Sequence, residues 1–153
     1  MKKITLLLVL IFPAICFSQK FIGKSKEQVK KQLQQQITKN DGSGITITDN
    51  DSGIFYSVKH DIDLTTEFYY TFDKAGKCQL EKVVAGCDSC FTKYLQATLA
   101  EKKYGWKKIN ENQYISNYTS RMMIELPAES KELTYTILRT EWTKQLYAML
   151  TGN

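Results

Sequence analysis

Between residues 45 and 139 the apolar side chains fall into eight short runs of period two, and a stretch of helical period stands before each set of four. That pattern leaves little freedom. Successive strands joined by short turns can pair only antiparallel, because a parallel return needs a long crossover. Each set of four is therefore a meander, and the helices must cover a face of the resulting sheet. The expected class is α+β: one twisted antiparallel sheet, or two abutting four-stranded sheets, with helices on one face and a helix at the C-terminus.

The turns support this division. Asp49-Asn50-Asp51-Ser52-Gly53 joins runs at 45–48 and 54–59, with Gly53 free to take a left-handed position. Asp73-Lys74-Ala75-Gly76 joins 64–72 to 77–85 and has the composition of a type I turn closed by a glycine bulge. Asn110-Glu111-Asn112 and Pro127-Ala128-Glu129-Ser130 separate runs at 106–109, 113–117, 121–126 and 132–139.

Three helical stripes complete the order. Ser25 and Gln28 make a capping box ahead of Val29, Leu33 and Ile37. Phe91, Tyr94, Leu95 and Leu99 mark a second helix over 91–103, with Asp88 or Ser89 placed to cap it and Gly105 to close it. Trp142, Leu146, Met149 and Leu150 mark the last, ended by Gly152. Residues 23–85 and 86–140 then read as a tandem repeat of one helix plus four strands.

The opening Gly23-Lys24-Ser25-Lys26-Glu27-Gln28-Val29 resembles the Gly-x-Ser/Thr-x-Glu-x-Val start of domains similar to the secreted beta-lactamase inhibitor protein and the small outer-membrane assembly lipoproteins. The resemblance implies a helical segment before an antiparallel sheet, an arrangement that the inhibitor contains twice. This chain departs from it in showing one helix running into Gln34-Gln35-Gln36, without a helix-loop-helix. Over seven residues the resemblance implies an architecture, and it carries over no functional residue.

Met1-Lys2-Lys3 followed by the apolar run 4–17 has the form of a signal peptide, too short to span a bilayer. Residues 1–18 are expected to be removed after Ser18, leaving 19–153 as a single exported domain in the periplasm or outside the cell. Ile15 occupies the position where a lipobox needs a small residue, which argues against a lipid anchor on Cys16. Loss of Lys2 and Lys3 leaves 19 basic residues against 16 acidic ones, a net +3 with no basic block, and nucleic acid is not an expected partner. No transmembrane helix is expected in the mature chain.

Gly86-Cys87-Asp88-Ser89-Cys90 lies between the two halves and has the one familiar chemical spacing, CxxC. Two readings compete. In one, Cys87 and Cys90 form a structural disulfide of an oxidising compartment. In the other, Cys87 attacks and Cys90 resolves in thiol–disulfide exchange, aided by a helix N-terminus. Asp88 between the cysteines and the absence of a βαβ start weigh against the second.

Cys78 makes the cysteine count of the mature chain odd, at three. Along an unbroken strand it lies about 30 Å from Cys87, at ~3.3 Å per residue, far beyond disulfide reach. It is expected on the core side with Leu80 and Val84, as a buried thiol; the alternative is a curled strand that pairs it with Cys87 or Cys90 and leaves one reactive thiol exposed.

Other chemistries are thinly represented. A zinc site from Cys78, Cys87, Cys90 and His60 lacks a second ligand pair. Asp49-Asn50-Asp51-Ser52-Gly53 fails the calcium-loop spacing, because its glycine is fifth and His60 stands at the twelfth place. Asp61, Asp63 and Glu67 have no spacing that separates catalysis from a solvated loop. No hydrolase elbow, P-loop or dinucleotide fingerprint occurs, so no catalytic residue, metal or cofactor is assigned and common enzyme classes are disfavoured.

The chain is rich in aromatics, with nine tyrosines. Phe68, Tyr70 and Phe72 share one face, and Tyr69 points the other way. Tyr69, Tyr114 and Tyr118 are then candidates for an open sheet face that binds another protein or an envelope component.

Overall fold

A computed structural model describes residues 21–39, 44–128 and 132–152. The leader, its cleavage site and Cys16 lie outside these residues, as do part of the loop before residue 44 and the end of the 127–130 turn. The elements run α1 (Lys26–Lys39), β1 (Ile45–Asn50), β2 (Gly53–Asp61), β3 (Leu64–Phe72), β4 (Cys78–Val84), α2 (Asp88–Leu99), β5 (Lys107–Asn110), β6 (Gln113–Ile115), β7 (Met122–Glu125), β8 (Thr134–Arg139) and α3 (Lys144–Thr151). All eight strands join one antiparallel sheet in the order β1-β2-β3-β4-β8-β7-β6-β5. Two meanders meet through their last strands, so the sheet is single.

Local chemistry explains most boundaries. The Ser25 hydroxyl accepts the Gln28 N–H (3.3 Å), and the Gln28 side chain accepts the Ser25 N–H (2.9 Å), a reciprocal capping box. Asn50 Oδ1 accepts the N–H groups of Ser52 and Gly53 at the first hairpin. Asp73 Oδ1 does the same for Ala75 and Lys77, and Gly76 closes that turn at φ 71°.

The second helix starts at Asp88, earlier than its apolar stripe, and stops at Leu99. A separate 3-10 turn, Lys102–Tyr104, follows, and Gly105 closes it in the left-handed region.

Cross-strand partners point to the same face, so the register sorts the side chains. One face carries Ile54, Tyr56, Phe68, Tyr70, Glu81, Val83, Tyr135, Ile137 and Ile124, all buried. Both early helices lie there. Lys26 and Lys30 of α1 pair with Asp49 at 2.8 Å, and Val29 and Leu33 enter the core. In α2, Tyr94 meets Phe68 edge-on at 5.2 Å, Phe91 meets Tyr135 at 6.0 Å, and the Thr98 hydroxyl lies 3.1 Å from that of Tyr135. The third helix packs beside β5, with the Tyr147 ring 5.7 Å from Tyr118.

Strand β4 departs from simple alternation. Thr71 faces Leu80 whereas Phe72 faces Cys78, so a bulge absorbs Gln79. Cys78 therefore joins Glu81 and Val83 on the core face, and Leu80 and Val84 turn to the other, contrary to the expected grouping of Cys78 with Leu80 and Val84. The expected burial of Cys78 holds, but its neighbours change.

Gly86 is required by contact and not by φ. A Cβ there would stand 2.5 Å from Thr65 O and 2.8 Å from Thr65 N, both backbone atoms. Gly76 has a left-handed φ but open space around it. Gly86→Ala is accordingly expected to lose at least about 2 kcal/mol by urea unfolding. Gly76→Ala should lose only ~1 kcal/mol, the strain of the left-handed backbone.

Candidate functional site

Two places on the molecule have chemistry worth developing: the α2 junction and the sheet face away from α1 and α2. At the junction the Cys87 and Cys90 sulfurs stand at disulfide-bonding distance, with Cα atoms 5.1 Å apart. Cys87 itself is the N-cap of α2, in extended conformation, and its Sγ accepts the Cys90 N–H at 3.1 Å. Neither Asp88 nor Ser89 takes that role, because both already lie inside the helix. The Ser89 hydroxyl sits 3.2 Å from the same sulfur. Cys90 packs against the core cluster, so the two sulfurs have different surroundings.

Cys78 is free and fully buried near the far end of β4. Its thiol approaches Leu80 O at 3.6 Å. Burial pushes its pKa up to about 12, with the nearby charge of Glu81 adding to the shift.

On the open face one row of partners crosses all eight strands: Thr48, Phe55, Tyr69, Lys82, Thr136, Glu125, Gln113 and Asn110. At ~4.8 Å between neighbouring strands the row is about 34 Å long. Its two ends differ chemically. The Phe55 and Tyr69 rings lie 5.0 Å apart beside an apolar cleft of about 430 Å³. The other end floors a polar groove of about 870 Å³, walled by Glu111, Asn112, Leu126, Pro127 and Glu132. There Gln113 donates to Glu125 (3.2 Å), and Lys82 stands 3.9 Å from Glu132.

Tyr69 is 37% exposed, and its hydroxyl donates to Glu67 at 2.6 Å. That hydrogen bond, with some burial, raises the phenol to about 12, so it stays a neutral donor at any ordinary pH.

The three tyrosines expected together are separated. Tyr69 is on the open face. Tyr114 pairs with Ile124, whose partner is Ile137, and so it points to the core face, packed against the main cluster. Tyr118 follows β6 and is held between Tyr147 of α3 and the Arg121 guanidinium, 5.6 Å over its ring. The register with β7 puts Tyr114 on the α1 and α2 side; Ile115, on the other side with Gln113, is fully buried as well, so the second face is covered at this point of β6.

The acidic cluster also disperses: Asp61 accepts the Ile62 N–H in the hairpin tip, and Glu67 holds Tyr69. His60 Nε2 lies 2.8 Å from the Thr66 hydroxyl, and burial with the charge of Lys93 lowers its pKa. Among the described residues no group of three or more metal-ligating side chains is gathered.

Sequence reading missed Glu81, a fully buried carboxylate. The Phe21 N–H points at its Oε2 over 3.5 Å, and its charge bears on Lys24, Tyr70 and Cys78. The cause is the bulge at Gln79, which shifts the parity of β4 and leaves no signal in the sequence.

Comparison with protein families, curated proteins and solved structures finds no match.

Two expectations follow. Cys87→Ser keeps an oxygen at the N-cap and should leave stability within ~0.5 kcal/mol, whereas Cys87→Ala should lose ~1 kcal/mol more, both read with Cys90→Ser as background. The raised Cys78 thiol stays protonated in the folded chain after the unfolded chain has lost its proton. Its stabilisation is complete below pH ~8.5 and fades as pH rises towards 12. Comparing urea midpoints at pH 8 and pH 11 should show a smaller alkaline drop in Cys78→Ala than in the wild type.

Proposed function

We propose that the protein is exported to the cell envelope and acts without a cofactor by binding a protein partner across the open face of its sheet. The observation that carries this reading is the continuous row from Thr48 to Asn110, aromatic at one end and acidic-polar at the other. Antiparallel sheets tolerate a solvated face, but an exposed Tyr69 ring backed by half-buried Phe55 beside a concave apolar cleft is the chemistry of a binding anchor. The groove at the other end is lined by Glu111, Glu125 and Glu132 with Lys82, and Lys108 pairs with Glu111 at 2.8 Å from outside it; the acidic excess among its described lining residues favours a partner presenting cationic or amide donors. The complementary partner thus offers an apolar side chain and a basic one on an extended surface about 34 Å long at ~4.8 Å per strand. Export is read from the leader expected at residues 1–18.

The immobilised protein should capture a partner from envelope extract. Tyr69→Ala with Glu125→Lys should weaken that capture by at least ~30-fold, the size of a hot-spot loss. Met149→Ser, on the exposed side of α3, should leave it unchanged. Capture that survives the Tyr69 and Glu125 changes would remove the open face from the account.

A further inference from the structure

We propose a second activity at the α2 junction, independent of the sheet face: Cys87 and Cys90 exchange their disulfide with the dithiol of a polypeptide substrate. The two sulfurs have unequal settings. Cys87 Sγ caps the helix and has two hydrogen-bond donors within reach, the Cys90 N–H at 3.1 Å and the Ser89 hydroxyl at 3.2 Å. Donors of that kind, at the positive end of a 12-residue helix, stabilise a sulfur that carries negative charge. Both cysteines are half-buried, but Cys90 packs its side chain against the core cluster, on the inner side of the pair. An outer sulfur prepared for charge beside an inner resolving sulfur is an arrangement that a purely structural crosslink does not require.

The loop that presents Cys87 is also rigidly placed. Gly86 lies flat against the Thr65 backbone, so close that no side chain fits between them. The junction is thereby held beside the start of β3, where the neighbouring Ile62 and Leu64 expose apolar side chains at the hairpin tip. An unfolded segment bearing cysteines would find exposed apolar side chains on the same hairpin that Gly86 abuts.

The exchange balances as follows. A substrate thiolate attacks Cys87 Sγ, the Cys87–Cys90 bond breaks, and Cys90 leaves with the electron pair and takes a proton from water. The second substrate thiolate attacks the substrate sulfur of the mixed disulfide and expels Cys87, whose charge the two donors receive. The substrate dithiol has lost two electrons and two protons to become a disulfide, and the Cys87–Cys90 pair has gained them as two thiols. A low-molecular-weight disulfide returns the pair to its oxidised form by the same steps in reverse.

The test uses the reduced wild-type protein, so the first measurement needs no variant to fold. Brief iodoacetamide treatment at pH 6.5, followed by peptide mapping, should label Cys87 about tenfold ahead of Cys90, as unequal thiolate character and access require, and leave buried Cys78 unlabelled. Ser89→Ala should slow the Cys87 reaction by about threefold, the loss of one modest hydrogen bond. With oxidised glutathione as terminal oxidant, catalytic wild-type protein should accelerate disulfide formation in a synthetic peptide dithiol, and the Cys87→Ser, Cys90→Ser protein should not. Equal labelling of Cys87 and Cys90, or an oxidation rate no faster than the doubly substituted control, would overturn the proposal. Neither result bears on capture through Tyr69 and Glu125, so the two functions fail separately.

Discussion

The structure depends on the pairing of β4 with β8. Each meander ends in the strand that meets the other, from Leu80↔Leu138 to Val84↔Thr134, and the ladder extends through Ala85 N–H to Leu133 O at 2.8 Å. The Thr134 hydroxyl adds a buried bond to Val83 O at 2.7 Å. Without this seam there would be two four-stranded sheets, each with an extra open edge. With it, Val83, Tyr135 and Ile137 lie in the middle of one core, and α2 bridges the halves by placing Tyr94 on Phe68 of the first and Phe91 on Tyr135 of the second. The same seam aligns Lys82 with Thr136, which is what makes the open-face row continuous.

The element order was legible in the sequence because it rests on local chemistry. The capping box at Ser25 and Gln28, the Asp73 turn with Gly76, and the period-two run of β3 are each determined by residues a few positions apart. What failed was parity. A one-residue bulge at Gln79 put Leu80 on the face opposite Cys78 and brought Glu81 into the core, and nothing in the run Cys78 to Ala85 announces it. In β6, three residues long, Tyr114 and Ile115 are both apolar enough to face inward, so the neighbouring strand decides. The candidate site suffered more than the fold for the same reason. A surface is defined by long-range register, and of Tyr69, Tyr114 and Tyr118 only Tyr69 had a local signal, its place opposite Phe68 and Tyr70.

The two candidate sites draw on different physics. The open face offers area: an aromatic anchor fixed by the Tyr69 to Glu67 hydrogen bond, and charge spread along a row. The junction offers a cysteine pair with one sulfur at the N-cap of α2, and Gly86 pressed on Thr65 beside it. Glu81 belongs to neither. It is a carboxylate sealed on the core face beside Tyr70 and Cys78, where its charge raises the pKa of both.

The central claim is that two meanders form one cooperative sheet through β4 and β8. Native-state hydrogen exchange along both strands tests it most directly. If the claim holds, the amides of Glu81 to Val84 and of Tyr135 to Leu138 exchange together, through the same global opening, and are the slowest in the chain. If the amides of β5 to β8 exchange through a separate opening of lower free energy while those of β1 to β4 stay protected, the halves are independent and the account is contradicted.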